Sequence, residues 1–119
     1  MTVRKDRKSL EIAFPDGESY EFSAELLRVL SPSAEVQGHS PEQRKTVGGK
    51  RDVGIMKMEP VGNYAVRISF DDMHDTGIFS WAYFRDLGEN QDDRWNSYVE
   101  ELDEKGMSRE PAAPARQVP

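Results

Sequence analysis

The chain has no cysteine in 119 residues. Disulfides, thiolate zinc sites, cysteine-ligated iron–sulfur clusters and cysteine nucleophiles are excluded together. Histidine is almost as scarce, with two residues, and no G-x-S-x-G or H-E-x-x-H run is present, so a nucleophilic triad has few places to form. Basic charge is in deficit: 16 Lys and Arg stand against 22 Asp and Glu, a formal net charge of −6, whereas a nucleic-acid binder needs a basic face. Long apolar runs are missing as well. Nothing approaches the ~18 residues of a membrane span, and the chain does not open on the basic and apolar regions of a signal peptide. The expectation is a cytoplasmic protein with neither nucleic acid nor membrane as partner. Its length fits one domain, able to bury about two-thirds of its unfolded surface.

What is present is ordered along the chain. Residues 1–8 carry Arg4, Lys5, Arg7 and Lys8 against Asp6 and read as a flexible basic tip. Residues 106–119 hold three prolines and a single large apolar side chain, Met107, too little to offset ordering entropy, and read as a disordered tail. The fold is expected in residues 9–105.

Leu10, Ile12 and Phe14 alternate with Ser9, Glu11 and Ala13, Pro15-Asp16-Gly17 turns the chain, and Tyr20 and Phe22 resume the alternation: a β-hairpin. Ser23 stands as an N-cap, with Glu25 in the first turn and Leu26, Leu27 and Leu30 behind it until Pro32 stops a short helix. Ser31 to Arg51 read as a long loop. A second hairpin pairs Val53 to Glu59 with Tyr64, Val66, Ile68 and Phe70 across Pro60-Val61-Gly62-Asn63, the irregular order of Ile55, Met56 and Met58 predicting a strand covered on both faces or bulged near Gly54. Ser80 then caps a helix with Trp81, Phe84 and Leu87 on one face, ended by Gly88. Asn90 caps a last helix in which Trp95, Tyr98, Val99 and Leu102 fall at i, i+3, i+4, i+7. The pattern predicts an α+β fold: a small antiparallel sheet of two hairpins, a short helix after the first, and two helices at the C-terminal end. The expected core is Leu10, Ile12, Phe14, Tyr64, Val66, Ile68, Trp81, Phe84, Trp95 and Val99.

Few motifs carry chemistry. Gly48-Gly49-Lys50-Arg51 lacks the first glycine and the final hydroxyl of a phosphate loop and reads as a loop entering a strand. The aromatics Trp81, Tyr83, Phe84, Trp95 and Tyr98 follow helical spacing, which accounts for them as packing residues. Glu89 to Glu104 holds seven acids and only Arg94, so this one stretch carries a charge of −6, equal to that of the chain. It reads as a solvated outer face or as a docking face for a basic partner, the former being the commoner use of such a pattern. His74, among Asp71, Asp72 and Asp75, has metal-like composition, but its spacing matches neither an EF-hand nor a two-His-one-carboxylate site.

Three segments taken together, Leu26-Leu27-Arg28-Val29-Leu30-Ser31-Pro32-Ser33, Met58-Glu59-Pro60-Val61-Gly62-Asn63-Tyr64 and His74-Asp75-Thr76-Gly77-Ile78-Phe79-Ser80-Trp81, resemble the DUF971 family. This is the small domain also found at the N-terminus of γ-butyrobetaine hydroxylase and trimethyllysine hydroxylase. The resemblance covers about residues 9 to 90 and implies a small α+β domain. Similar domains stand alone in bacteria or are fused behind Mrp-type P-loop ATPases that carry iron–sulfur clusters. In the eukaryotic hydroxylases the domain holds a structural zinc through a C-x-C-x-x-C run after the first helix and a histidine at the end of a later strand. On this chain those positions are Ser31, Ser33, Val36 and His74, so three of four ligands are missing and the family's zinc site is degenerate. The oxygenase chemistry of those hydroxylases belongs to a separate domain that nothing here resembles.

The expected function is therefore a non-enzymatic binding module acting through protein contacts, in iron–sulfur or metal-cofactor maturation, with an Mrp-type P-loop iron–sulfur carrier as the implied partner and no cofactor of its own. The alternative is a metal protein in which His74, His39, Asp71 and Asp72 hold a divalent zinc or iron ion. An enzyme on a small substrate ranks last, because no acid and base pair can be named. His74 has two expected roles. Its ring either bonds a backbone carbonyl or Asp71 and pins the loop leading to Trp81, or it lines an interaction surface with Arg51, Asp52 and Trp81.

Overall fold

The computed structural model describes residues 1–37 and 46–110. The element order is β1 (Thr2–Val3), β2 (Ser9–Ala13), β3 (Ser19–Ser23), α1 (Ala24–Val29), α2 (Ala34–Gln37), β4 (Ile55–Val61), β5 (Ala65–Phe70), β6 (Gly77–Ser80), α3 (Trp81–Glu89) and α4 (Gln91–Glu104). The expected α+β class holds, with each hairpin enlarged by one strand. The strands form two separate antiparallel sheets, β1-β2-β3 and β4-β5-β6. Ile78-Phe79, expected only to precede a helix, is the middle of the added strand β6.

Alternation sets the register of the first sheet. Leu10 lies opposite Phe22 and Ile12 opposite Tyr20, so the apolar side chains of β2 and β3 share one face while Glu11 and Glu21 share the other. In the second sheet the pairing of β4 and β5 shifts between Ile55 and Lys57, which places the bulge at Met56, two residues past the expected Gly54, and turns the Met56 side chain outward. Both helix-capping serines behave as read. The Ser23 Oγ accepts from the Leu26 N–H at 3.0 Å, and the Ser80 Oγ from the Tyr83 N–H at 3.1 Å.

One core joins the two sheets to α1, α3 and α4. Leu10, Ile12, Val66, Ile68 and Phe84 are buried as expected, and Phe14, Trp81 and Trp95 pack against them half-buried. Two expected members are not inside: Tyr64 is 59% exposed and Val99 40%. Tyr64 precedes β5 in the turn rather than continuing its alternation, and Val99 falls on the solvent edge of α4 while Tyr98 and Leu102 take the inner positions. Their places in the core are filled by Phe22, Leu26, Leu27, Phe70, Phe79 and Leu87, each worth roughly 1.5–3 kcal/mol of burial.

Two helix boundaries also differ from expectation. Gly88 does not end α3, which runs on to Glu89. Its role is packing, because a Cβ there would lie 2.5–2.7 Å from ring carbons of Tyr20. Asn90 precedes α4 but makes no side-chain cap; its amide instead donates to the carbonyl and carboxylate of Asp86, both at 3.0 Å.

The segments outside 9–105 take part in the fold. Residues of the expected flexible tip form β1, and the Arg7 carbonyl accepts from the Ile55 N–H at 2.8 Å, tying the tip to β4. The first residues of the expected disordered tail, through Glu110, lie along the domain: the Ser108 and Arg109 carbonyls accept from the Gly49 and Arg51 N–H groups at 2.8 and 3.0 Å. Within the expected loop from Ser31 to Arg51, α2 forms one helical turn. No helix among the described residues is long and apolar enough to cross a membrane.

Candidate functional site

His74 is brought to the first helix by two turns. After α1, the Ser31 N–H reaches the Arg28 carbonyl, and α2 begins when Val36 and Gln37 donate to the Ser33 carbonyl. Ser31 and Ser33 thereby face the same recess, with the Gln37 side chain donating to the Ser31 carbonyl at 2.9 Å. At the far end of β5, Met73 takes a left-handed backbone, φ 75°, and the chain closes on itself as the Phe70 N–H meets the His74 carbonyl at 2.9 Å. His74 is delivered inward and is 7% exposed. Its Nε2 lies 3.0 Å from the Ser31 Oγ and 3.3 Å from the Ser33 Oγ, and its ring packs 6.1 Å from that of Phe70. Gly77 on β6 makes room for this node, since a Cβ there would fall 2.3 Å from the Ser31 Oγ.

Three of the four positions equivalent to the zinc ligands of the hydroxylases, Ser31, Ser33 and His74, therefore do converge, but on hydrogen-bonding chemistry. Two neutral hydroxyls and one imidazole meet there, and the fourth position, Val36, is a buried alkyl side chain. Serine does not replace a thiolate and valine offers no donor, so this set does not fit a structural zinc.

Of the carboxylates near His74, that of Asp72 is committed to neighbours. Asp72 Oδ2 accepts from Arg28 Nε at 2.8 Å and from Lys50 Nζ at 2.6 Å, while Oδ1 accepts from the His74 N–H at 3.2 Å. Burial works to raise the Asp72 pKa, but the hydrogen bonds from Lys50, Arg28 and the His74 amide outweigh it and lower the value to about 2. Asp71 donates its N–H to the Gly54 carbonyl at 2.9 Å, and its Oδ2 crowds Gly54. His39 lies outside the described residues. Among those described, no group of three His, Cys, Asp or Glu residues is arranged to hold a metal ion.

The expected interaction surface of Arg51, Asp52, His74 and Trp81 is divided. Arg51 pairs with Glu110, and the Asp52 carbonyl accepts from Lys8, both near the Asp72 end of the molecule. Trp81 follows Ser80, which lies opposite Ala65 at the other end of β5, and its indole N–H donates to the Asn63 carbonyl at 3.1 Å. The ends of a six-residue strand are roughly 17 Å apart. His74 is buried at one end of it and Trp81 is half-buried at the other.

Sequence reasoning missed the ion pair between Glu25 and Arg109. Both guanidinium contacts, from Nε and Nη2, are 2.8 Å, and the guanidinium carbon sits 5.0 Å from the ring centre of Trp95. Glu25 is 5% exposed. Its place in a first helical turn accounts for it as a dipole partner, and nothing local to Arg109 points across 84 residues to it.

The fold and the node define a small α+β domain whose histidine is held by serines. The chain belongs to the family described as gamma-butyrobetaine hydroxylase-like, N-terminal, whose model matches residues 1–85. That model is of the N-terminal domain and does not include a catalytic domain. Among solved structures, two NMR solution structures are similar over nearly the whole chain. One is 42% identical with a TM-score of 0.79, covering 98% of this chain and 92% of that one; the other is 43% identical with a TM-score of 0.79, covering 99% and 88%. The crystal structure of a DUF971-family protein of unknown function from Acidithiobacillus ferrooxidans is 34% identical, with a TM-score of 0.61 over 73% of this chain and 86% of that one. The DUF971 resemblance is thus shown. No curated protein matches.

Proposed function

We propose that the chain is a non-enzymatic binding module of the cytoplasm that acts through protein contacts. The observation that carries this reading is where its polar chemistry is spent. His74 is held by Ser31 and Ser33, Asp72 by Arg28 and Lys50, and Glu25 by Arg109, each inside or at the rim of the domain. What faces solvent is a sheet surface on which Ile78, Arg67 and Glu59 are aligned across three strands, together with an apolar groove between Phe14, Pro15 and Trp81. Such surfaces recognise by shape and burial, not by proton transfer.

The setting that supports a partner is iron–sulfur or metal-cofactor maturation, because domains similar to this one are fused behind Mrp-type P-loop carriers. The test is binding of the purified chain to a purified Mrp-type carrier, with and without its cluster. Binding that weakens at least tenfold in Ile78→Asp or Trp81→Ala supports the module. Absence of binding in both states, with affinity capture from iron-replete and iron-starved cells also recovering no specific partner, overturns it.

A further inference from the structure

We propose that Glu25 and Trp95 form a receptor for a guanidinium group, and that Arg109 of the same chain is its tethered occupant. The receptor is built into two helices. Glu25 lies in the first turn of α1 and Trp95 in the second turn of α4, and they wall a recess completed by Ser23, Leu26, Gln91 and Asp92. The floor is the Glu25 carboxylate, which with Arg109 seated on it is 5% exposed and gives one oxygen to each guanidinium bond. A buried carboxylate without a cation is strongly unfavourable, so this site requires a positive group.

The chemistry selects among cations. Two parallel 2.8 Å bonds need a planar fork of N–H donors, and the indole 5.0 Å away offers its face to a flat, weakly hydrated cation. Guanidinium satisfies both at once, whereas an ammonium satisfies one or the other. Beside the recess, burial, with the adjacent Glu25 charge adding to it, pushes the Tyr98 phenol up to about 12 even with Arg109 opposing.

The occupant is attached by a short strap, whereas the receptor belongs to two helices. The chain leaves α4, turns at Gly106 with φ 65°, and is held by Gly106 and Met107 donating to the Asp103 and Leu102 carbonyls at 3.2 and 2.8 Å, by the two backbone bonds from Gly49 and Arg51, and by the ion pair of Glu110 with Arg51. The Arg109 side chain remains 40% exposed. Lifting this strap leaves Glu25 and Trp95 in place, and the ligand class that fits the vacated site is an arginine side chain of a peptide segment. The tether gives Arg109 an effective concentration of order millimolar, so a competing arginine must exceed it or the strap must first be withdrawn. The site stands whether or not the chain acts on the partner named above.

The test uses the full chain with Arg109→Ala, followed by thermal unfolding and by ¹H–¹⁵N NMR of the Trp95 indole, with methylguanidinium as probe and methylammonium at equal ionic strength as control. Arg109→Ala is expected to melt several degrees below the parent. Tens of millimolar methylguanidinium should restore at least half of that loss and shift the Trp95 indole signal, while methylammonium does neither and the parent chain shows neither response. Glu25→Gln added to Arg109→Ala should abolish the shift. An equal response in parent and variant, an equal effect of methylammonium, or a shift that survives Glu25→Gln overturns the proposal. Should Arg109→Ala fail to fold, Arg109→Lys keeps a charge at the strap without the fork. Methylguanidinium must then still displace it and move the indole signal, and a silent indole overturns the receptor.

Discussion

The Nε2 of His74 lies 3.0 Å from the Oγ of Ser31, across 43 residues of sequence and inside the protein. Ser31, Ser33 and His74 are all buried, and each supplies a partner that water would otherwise provide. Removing the imidazole leaves two interior hydroxyls to find new partners. His74→Ala should therefore destabilise the fold by about 1–3 kcal/mol in denaturant titration, a range set by the cost of unsatisfied buried groups together with the cavity. Ser31→Ala should cost less, and the double variant should cost less than the sum. Additive losses would show that the two residues act independently.

Asp72 links stability to pH. Its folded-state pKa, near 2, lies below the ordinary value of 3.8, so the unfolded chain binds the proton more tightly. The pairing contributes fully above about pH 4 and is lost as the pH falls from there through 2, a term on the order of 1–2 kcal/mol. Asp72→Asn should weaken the fold at neutral pH by about 1–3 kcal/mol, because Arg28 loses its carboxylate while one of its terminal nitrogens is already buried without a hydrogen-bond partner among the described residues. The variant should also show a flatter stability profile between pH 4 and 2. An unchanged acid limb would assign that limb to other carboxylates.

Gly88→Ala sets two effects against each other. Alanine is favoured over glycine within a helix by roughly 0.5–1 kcal/mol, so propensity alone predicts a gain. The new methyl group, however, would lie 2.5–2.7 Å from atoms at the base of the Tyr20 ring, which cannot swing aside as a flexible side-chain tip can. Overpacking of this kind typically costs 1–3 kcal/mol, so a net loss is expected in thermal unfolding. Tyr20→Ala in the same chain should reverse the sign of the alanine effect, and a stabilised single variant would place the ring elsewhere.

How much of this was legible follows from which interactions are local. Ser23 and Ser80 act within three residues of themselves, and both caps were readable. Leu10 and Ile12 announce a strand face by period two. Tyr64 and Val99 lie outside the core, and apolar character at the margin of a pattern does not say which way a turn or a helix edge points. Gly88 reads as a stop signal, and only the Tyr20 ring, brought in from the other sheet, explains why it is glycine. The serine–histidine node was reachable only through the family resemblance, which aligned the three positions; their hydrogen bonding came from the structure. Arg109 sits in a proline-rich tail with no local pattern, and its partner, in contact in space, is 84 residues away in sequence.

The same node makes a prediction about metal. With Ser31 and Ser33 hydroxyls already 3.0 and 3.3 Å from the His74 Nε2, three ligand positions of a tetrahedral site are nearly in place. Zinc–sulfur and zinc–nitrogen bonds of about 2.3 and 2.0 Å require neighbouring ligands roughly 3.5 Å apart, a small expansion. Ser31→Cys, Ser33→Cys and Val36→Cys combined should therefore take up one zinc per chain, measured on untagged protein, and should melt at lower temperature once a chelator removes it. The parent chain, whose node holds no thiolate, should melt at the same temperature with and without chelator. Failure of the triple variant to retain zinc would show that Val36 does not face the node. A parent chain destabilised by chelator would instead locate a metal outside this cluster, with His39 as a candidate ligand.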